Sequence, residues 1–189
     1  MREVGLVTSN PHKLMEFQHG LGPLGVRVRH LDVDCDEVQA DTLEEVVHFC
    51  LDQLGSQGHL DIILDDSGLF IRDLKGFPGV YSSYVFRTIG CTGILRLLEG
   101  CEDRMAEFRC CIGCELEGLG RLVVTGTSPG RVIGEERGVQ GFGYDPIFVP
   151  DGSSRTFAQM DLDEKNRFSH RGAAMRVLVS EMGSMLKEV

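Results

Sequence analysis

Residues 42–68 read TLEEVVHFCLDQLGSQGHLDIILDDSG. Thr42 and Glu45 have the spacing of a capping box, which predicts a helix that begins just after Thr42. Apolar residues then recur every third or fourth position along one helix face, and Gly55 predicts the end of that helix. The run DIIL at 61–64 predicts a buried strand. This stretch therefore predicts a helix followed by a core strand, the repeating unit of an α/β fold.

The N-terminal residues predict the same kind of unit. Residues 4–7 are typical of a buried strand, the polar pair at 9–10 can cap a helix, and Pro11 suits its first turn. That helix is expected to end near residues 20–22. Alternating polarity over 26–31 predicts a half-exposed strand. Two strand–helix units followed by a third strand indicate an α/β sheet.

The remaining residues predict a mixture of strands and helices. A chain of 189 residues corresponds to one domain, so we treat residues 1–189 as a single unit. The predicted elements are a turn-rich loop at 76–79, a short helix at 88–98, a hairpin of strands 106–117 and 121–127, a further strand at 131–133, and a last helix that begins near Ser169 or His170.

Composition and charge exclude several classes of protein. The hydrophobic share of 42% is typical of a folded domain. The formal net charge of −10 disfavours a general nucleic-acid binder, which needs cations to neutralise phosphates. No stretch approaches the roughly 20 apolar residues of a membrane span. Seven cysteines cannot all pair within one chain, so free thiols in a reducing cytoplasm are the simplest interpretation.

The segment TSNPHK at 8–13 joins the first strand to the first helix. A helix N-terminus exposes unpaired N–H groups and attracts phosphate. Thr8, Ser9 and Asn10 add short polar groups there, and Lys13 adds a positive charge one turn later. An ordinary helix cap with a surface lysine would give the same pattern.

A pair of carboxylates, Asp65 and Asp66, follows the third predicted strand. The C-terminal ends of strands in open α/β sheets are where ligands bind. Mg²⁺ takes one or two carboxylates together with phosphate oxygens, so Asp66 is a candidate ligand and water-activating base. An Asx turn that closes the strand at Gly68 is the structural alternative. Glu37 is a second candidate ligand, or one member of a solvated acidic run.

Two C-terminal segments carry further candidate binding residues. Glycines flank the aromatic pair Phe142 and Tyr144, and a phenyl ring offers a stacking face for a base, although a packed loop is the alternative. The cationic residues Lys165, His170 and Arg171 cluster around the start of the last helix. Cations at a helix N-terminus oppose the helix dipole, and residues that break a local rule are often functional.

Five segments in fixed order resemble one family. They are TSNPHK, DDSGL at 65–69, GFPGVYSS at 76–83, QGFGYDPIF at 140–148 and EKNRFSHR at 164–171. Together they resemble the inosine triphosphate pyrophosphatases, also called non-standard purine nucleoside triphosphate pyrophosphatases, and are most similar to archaeal members. The resemblance implies an elongated, two-lobed α/β fold around a central mixed sheet, with a cleft between the lobes. It also implies a cytoplasmic homodimer.

The same resemblance implies the reaction. Family members cleave ITP, dITP and XTP between the α- and β-phosphates, release the monophosphate and pyrophosphate, and need Mg²⁺. Such an enzyme removes these nucleotides from the pool before they enter DNA or RNA. A related pyrophosphatase with another base preference and a non-catalytic nucleotide sensor remain as alternatives.

Residue roles follow from the resemblance, position by position. The triphosphate would be held by Thr8, Ser9, Asn10, Pro11, His12 and Lys13. Glu37 and Asp66 would bind Mg²⁺, with Asp66 and Lys13 as the catalytic residues and Asp66 as the proton acceptor. Ser67 would contact the substrate. The base would be bound by Phe142, Gly143, Tyr144, Asp145, Lys165, His170 and Arg171. One departure is Phe49, where many members carry a lysine.

Overall fold

The computed structural model describes residues 2–8 and 10–187, which form five α-helices and six strands. The helices are α1 (Pro11–Leu21), α2 (Leu43–Ser56), α3 (Ser82–Leu97), α4 (Leu162–Phe168) and α5 (His170–Met185). The strands are β1 (Arg2–Val7), β2 (Val26–Leu31), β3 (Ile62–Ile71), β4 (Met105–Leu116), β5 (Gly120–Val132) and β6 (Phe148–Pro150). No helix in this described part of the chain is long and apolar enough to cross a membrane.

The six strands form one mixed sheet. Their order is β2-β1-β3-β4-β5-β6. β1 pairs in parallel with both β2 and β3, and helices α1 and α2 supply the crossover connections that parallel strands need. β5 and β6 pair in antiparallel orientation. The central mixed sheet of an α/β protein is therefore confirmed.

Helix α2 begins where its capping box predicts. The Thr42 hydroxyl accepts a hydrogen bond from the Glu45 amide, while the Glu45 carboxylate accepts one from the Thr42 amide. Hydrogen bonds from the amides of Asp41 and Thr42 to the Glu45 carboxylate lower the pKa of Glu45. The predicted apolar stripe is the inward face of the helix. Leu43, Val47, Leu51 and Leu54 are buried, whereas Val46 and Cys50, which the prediction also placed on this face, are half-buried. Cap and stripe together explain the bounds and orientation of α2.

The chain divides into two compact units. Unit 1 contains Met1–Asp66, Cys111–Thr125 and Ala174–Val189, and unit 2 contains Ser67–Cys110 and Gly126–Ala173. The core of unit 1 is aliphatic and includes Val4, Leu6, Leu21, Leu51 and Ile63. The core of unit 2 holds several aromatic rings, with Phe108 packed edge-on against Phe148 at 4.8 Å between ring centroids.

Several element bounds differ from the sequence-based predictions. β3 does not end before Asp65 but continues to Ile71. α3 begins at Ser82 with no side-chain cap, so no local signal marks its start, and Gly90 interrupts its helical backbone. The separate strand predicted at 131–133 is the end of β5. Two elements were not predicted, β6 and α4, although Asp161 caps α4 by accepting from the Glu164 amide.

The expectation that all seven cysteines are free thiols is wrong for one pair. Cys35 and Cys50 form a disulfide, which no pattern in the sequence predicts. The other five cysteines are free. Burial raises the pKa of Cys91, Cys111 and Cys114 to about 12, so these thiols stay protonated at neutral pH and act as small apolar core residues.

Gly113 brings β4 close to α2. A Cβ atom at this position would lie 2.4 Å from Cγ1 of Val47 and 2.8 Å from Cδ1 of Leu51. We expect Gly113→Ala to lower the free energy of unfolding by about 1–3 kcal/mol, because both buried side chains must shift. Urea denaturation measures this change.

Gly55→Ala is the matched control, because a Cβ there meets no atom within 4 Å. It should leave stability unchanged or raise it by up to about 1 kcal/mol, since alanine favours helix. Equal effects of the two substitutions would contradict the close packing of β4 on α2.

Candidate functional site

The junction of β1 and α1, in unit 1, has the local geometry of a helix N-terminus. The Thr8 hydroxyl accepts a hydrogen bond from the Asn10 amide at 3.1 Å. The Asn10 carbonyl accepts from the amides of Lys13 and Leu14, and Pro11 occupies the first helical position, where its missing N–H is harmless. The predicted residues Ser9 and the side chain of His12 lie outside the described parts of the structure.

Lys13 pairs with Asp65, a residue of β3 that also lies in unit 1. Its Nζ lies 3.1 Å from Oδ1 of Asp65 and 3.2 Å from the Asp65 carbonyl oxygen. The Asp65 side chain has no exposed surface, and that of Lys13 is 17% exposed. A buried carboxylate needs a counter-charge, so Asp65 both requires Lys13 and holds its ammonium group in place.

Asp66 faces away from Asp65. Because β3 continues through both residues, their side chains project to opposite faces of the strand. Asp66 is half-buried. Burial is the main cause of the raised pKa of Cys111, and the negative charges of Glu44, Asp66 and Asp65 add to it. This corner of unit 1 is therefore electronegative, which favours binding of a cation.

The residues present fit Mg²⁺ by their chemistry. Among residues 2–8 and 10–187, no three His, Cys, Asp or Glu side chains come together as a metal cage. Mg²⁺ does not need one, since it is usually bound by one or two carboxylates with phosphate oxygens and water. Asp66 and the exposed Glu37, which lies in the irregular connection between β2 and α2, supply such carboxylates.

In unit 2, a buried ion pair organises the glycine-rich loop before β6. Lys165 Nζ lies 2.6 Å from Oδ2 of Asp145, and the two side chains are 7% and 4% exposed. The same carboxylate oxygen accepts a hydrogen bond from the Phe142 amide at 2.8 Å. Lys165 Nζ also lies 4.7 Å from the centroid of the Phe142 ring. Asp145 is thus a structural partner that positions both the lysine and the ring.

The start of α5 holds two further predicted residues. Arg171 is 2% exposed and donates from Nη2 to the Ser67 hydroxyl at 3.1 Å. His170 stacks on Phe108, with 4.7 Å between ring centroids. Ser169 caps the helix by accepting from the Gly172 amide. Arg171 and Ser67 are therefore in contact within unit 2, and the neighbouring His170 packs on Phe108.

Tyr144 is packed into unit 2 rather than left open. It is 3% exposed, its hydroxyl donates to the Ser82 carbonyl, and its ring packs edge-on against Phe86. Burial raises its pKa. The neighbouring Gly143 carbonyl accepts a hydrogen bond from the Cys91 thiol. Phe142 and Gly143 remain half-buried, so the loop presents them while Tyr144 anchors it.

Three positioning residues were not predicted from the sequence. Asp65 was one of the noted carboxylates, but its pairing with Lys13 depends on the fold. Ser82 accepts from the Leu69 amide and donates to the Gly79 carbonyl, which joins β3 to the GFPG loop. Gly172 is required because a Cβ there would lie 1.9 Å from the Asn166 carbonyl oxygen. Ser82 and Gly172 lie inside two of the family motifs, but the sequence of those motifs does not predict these contacts.

Comparison with known proteins places this chain in a family. A model of the Ham1 family matches residues 4–181. The chain belongs to the Ham1 family. A Ham1 relative from Pyrococcus horikoshii, named dITP/XTP pyrophosphatase, is 46% identical, over 98% of this chain and 99% of the relative. A second dITP/XTP pyrophosphatase, from Thermococcus kodakarensis, is 48% identical over 98% and 97% of the two chains.

Solved structures of Ham1 proteins have the same fold. The Staphylococcus aureus Ham1 protein superposes with a TM-score of 0.85 at 27% identity, over 97% of this chain and 99% of its own. The resemblance drawn from five short motifs is thus confirmed over nearly the whole length of both chains.

The Lys165–Asp145 pair gives a stability prediction. We expect Asp145→Asn to lower the free energy of unfolding by about 3–5 kcal/mol, because the Lys165 ammonium then stays buried without its counter-charge. Glu135→Gln is the matched control: it removes one charge from an ion pair with Arg137 whose side chains are 67% and 49% exposed. An exposed pair contributes about 0–1 kcal/mol. Similar losses in the two variants, measured by urea denaturation, would refute the structural role of Asp145.

Proposed function

We propose that this protein hydrolyses non-standard purine nucleoside triphosphates (dITP, XTP and ITP) to the monophosphate and pyrophosphate. One observation carries the proposal: relatives at 46% and 48% identity, matched over nearly their full lengths, are named dITP/XTP pyrophosphatase. The reaction would remove these nucleotides from the pool that supplies DNA and RNA synthesis. Because that pool is cytoplasmic, we propose a cytoplasmic location.

We assign the triphosphate to the N-terminus of α1. The free N–H groups of a helix N-terminus attract phosphate, and α1 is long enough, at 11 residues, to contribute a dipole. Among the described residues, Thr8, Asn10, Pro11 and Lys13 lie at this end, with Lys13 as the cation. Its ion pair with Asp65 supports this role, since a lysine held at a defined position loses little conformational entropy when phosphate binds.

We assign Mg²⁺ to Glu37 and Asp66. When bound, Mg²⁺ would neutralise charge on the phosphate oxygens and favour attack by water. Asp66 would accept the proton of that water. Its half-buried position supports this role, because a carboxylate that keeps part of its surface exposed can be reached by the attacking water. Phe49 is 38% exposed on α2 and cannot supply the phosphate contact that a lysine would make there.

We assign recognition of the base to unit 2. The half-buried Phe142 ring would stack on the purine, with the buried cations Lys165 and Arg171 nearby, the latter at 5.8 Å from the ring centroid. A donor from Arg171, His170 or a backbone amide of the 142–145 loop would bind a 6-oxo group and leave a 6-amino group unpaired. Such a mismatch strongly disfavours adenine nucleotides.

The proposed reaction is tested by pyrophosphate release from ITP, XTP, dITP, GTP, dUTP and TTP, with and without Mg²⁺. We expect the first three to be cleaved only with Mg²⁺, and Asp66→Asn to lower kcat by about 10²- to 10⁴-fold while circular dichroism is unchanged. The exposed Asp151→Asn is the control, with full activity expected.

Each competing function predicts a different result. A preference for dUTP or TTP would show that the substrate carries a pyrimidine and would reject the assignment of a purine base to unit 2. Tight ITP binding without pyrophosphate release would indicate a nucleotide sensor instead. Full activity of Asp66→Asn would refute its role as proton acceptor.

We also propose that the protein is a homodimer. Five large apolar side chains between residues 77 and 89 are exposed, namely Phe77, Tyr81, Tyr84, Phe86 and Ile89. Clustered exposed apolar residues of this size usually mark an interface, and a two-fold contact buries the same patch on both copies.

Sedimentation equilibrium tests the dimer. The wild-type protein should have about twice the chain mass of 20.9 kDa, and Tyr84→Arg should shift it towards the monomer by placing like charges together at the interface. Leu60→Arg changes a comparably exposed apolar residue, 51% exposed, in unit 1 and should leave the mass unchanged. A monomeric wild-type protein would overturn this part of the proposal.

A further inference from the structure

The connection between β2 and α2, residues 32–42, is attached to α2 through several side chains. It carries Glu37, for which we have proposed a role in metal binding, and it contains no regular secondary structure. α2 is a firm support, because its apolar face is buried through Val47, Leu51 and Leu54. How this connection is held therefore determines how well Glu37 is positioned.

The Cys35–Cys50 disulfide is a covalent attachment. It links the connection to the middle of α2, with 5.7 Å between the two Cα atoms and 15 positions of sequence between them. Glu37 follows two residues after Cys35, so its Cα stays within about 7 Å of the Cys35 Cα. Fixing Cys35 thus restricts the space that the Glu37 carboxylate can reach.

Gln53 makes a second attachment at the same place. It lies three residues after Cys50, on the same side of α2. Its side-chain oxygen accepts a hydrogen bond from the Asp36 amide at 3.0 Å, and its side-chain nitrogen donates to the Asp36 carboxylate at 2.9 Å. The residue immediately before Glu37 is therefore held by both its backbone and its side chain.

The far end of the connection is held as well. The Glu45 carboxylate accepts from the amides of Asp41 and Thr42. The connection is thus anchored to α2 on both sides of Glu37. Of these attachments, the disulfide is the one whose formation depends on redox conditions. Both of its cysteines are half-buried rather than enclosed, so a reductant can approach.

We propose that Cys35, Cys50 and Gln53 position Glu37, and that reduction of the disulfide loosens residues 32–41 and weakens binding of the divalent cation. The inference rests on the proposed role of Glu37. The reductant is a dithiol: one of its thiolates attacks a cysteine sulfur, the S–S bond breaks and a mixed disulfide forms. The cysteine that was not attacked leaves as a thiolate, and the second thiol of the dithiol then attacks the dithiol sulfur of the mixed disulfide and releases the cysteine that was attacked first. Two electrons and two protons pass to Cys35 and Cys50, and the dithiol becomes a cyclic disulfide.

The first experiment follows the connection itself by hydrogen–deuterium exchange of the full chain, before and after dithiothreitol. Reduction should raise exchange over residues 32–41 and leave β1 and β3 unchanged. Alkylation with mass spectrometry should find Cys35 and Cys50 unlabelled before reduction and labelled after it. Labelling before reduction, or unchanged exchange after it, would overturn the proposal.

The second experiment measures the cation directly, as Mn²⁺ binding followed by the electron paramagnetic resonance signal of free Mn²⁺. Reduction should weaken binding by about tenfold, the lower end of what loss of a supporting contact to a metal ligand produces. The double variant Cys35→Ser/Cys50→Ser should bind Mn²⁺ as weakly as the reduced protein does, and dithiothreitol should not change its affinity. Cys101→Ser, which removes a half-buried free thiol of unit 2, should keep the full response.

Two further variants separate the possible failures. Glu37→Gln with unchanged Mn²⁺ affinity would refute the proposed metal role of Glu37, whatever the disulfide does. If Glu37→Gln weakens binding but reduction does not, the positioning proposal alone fails. Gln53→Ala keeps the disulfide but removes the two hydrogen bonds to Asp36, so it should raise hydrogen–deuterium exchange around residue 36. This variant tests the attachment by Gln53 even if the reduced protein loses stability.

Discussion

Strand β3 continues without interruption through Asp65 and Asp66, and the arrangement of the N-terminal site depends on that. Neighbouring residues of an extended strand point to opposite faces, so two adjacent carboxylates acquire opposite environments. The Asp65 side chain is fully buried, and its carboxylate pairs with the Lys13 ammonium group. Asp66 remains half-buried, in a region already made negative by its neighbours. Had the strand ended in a turn before Asp65, this alternation would be lost.

Buried charge recurs in unit 2 with a different purpose. Lys165 and Asp145 are both almost completely buried, and each would be costly alone. Their carboxylate oxygen also orders the backbone at Phe142, so the pair shapes a glycine-rich loop that has little regular structure of its own. Arg171 is buried against Ser67 in the same way. A protein with net charge −10 thus buries two cations beside defined partners, in the unit to which we assign the base.

Helix α2 serves both the core and the proposed metal ligand. Its apolar face packs in unit 1, with Gly113 allowing β4 to approach it. Cys50, at the edge of that face, and Glu45 and Gln53, on the rest of the helix surface, hold the preceding connection. Core burial makes the helix rigid, and a rigid helix can position an irregular segment better than that segment can position itself.

The sequence by itself determined the elements with local signals: the start of α1 at Pro11, the cap and the apolar face of α2, the strands β1 and β2, and the motifs that identified the family. The extension of β3, the uncapped start of α3 and the three-residue β6 were decided by the tertiary structure, because their hydrogen-bond partners lie in distant segments. The same holds for the Lys13–Asp65 and Lys165–Asp145 pairs and for the Cys35–Cys50 disulfide. A residue's type and spacing reveal what chemistry it can do, but which charge or thiol stands opposite it depends on how the chain folds in three dimensions.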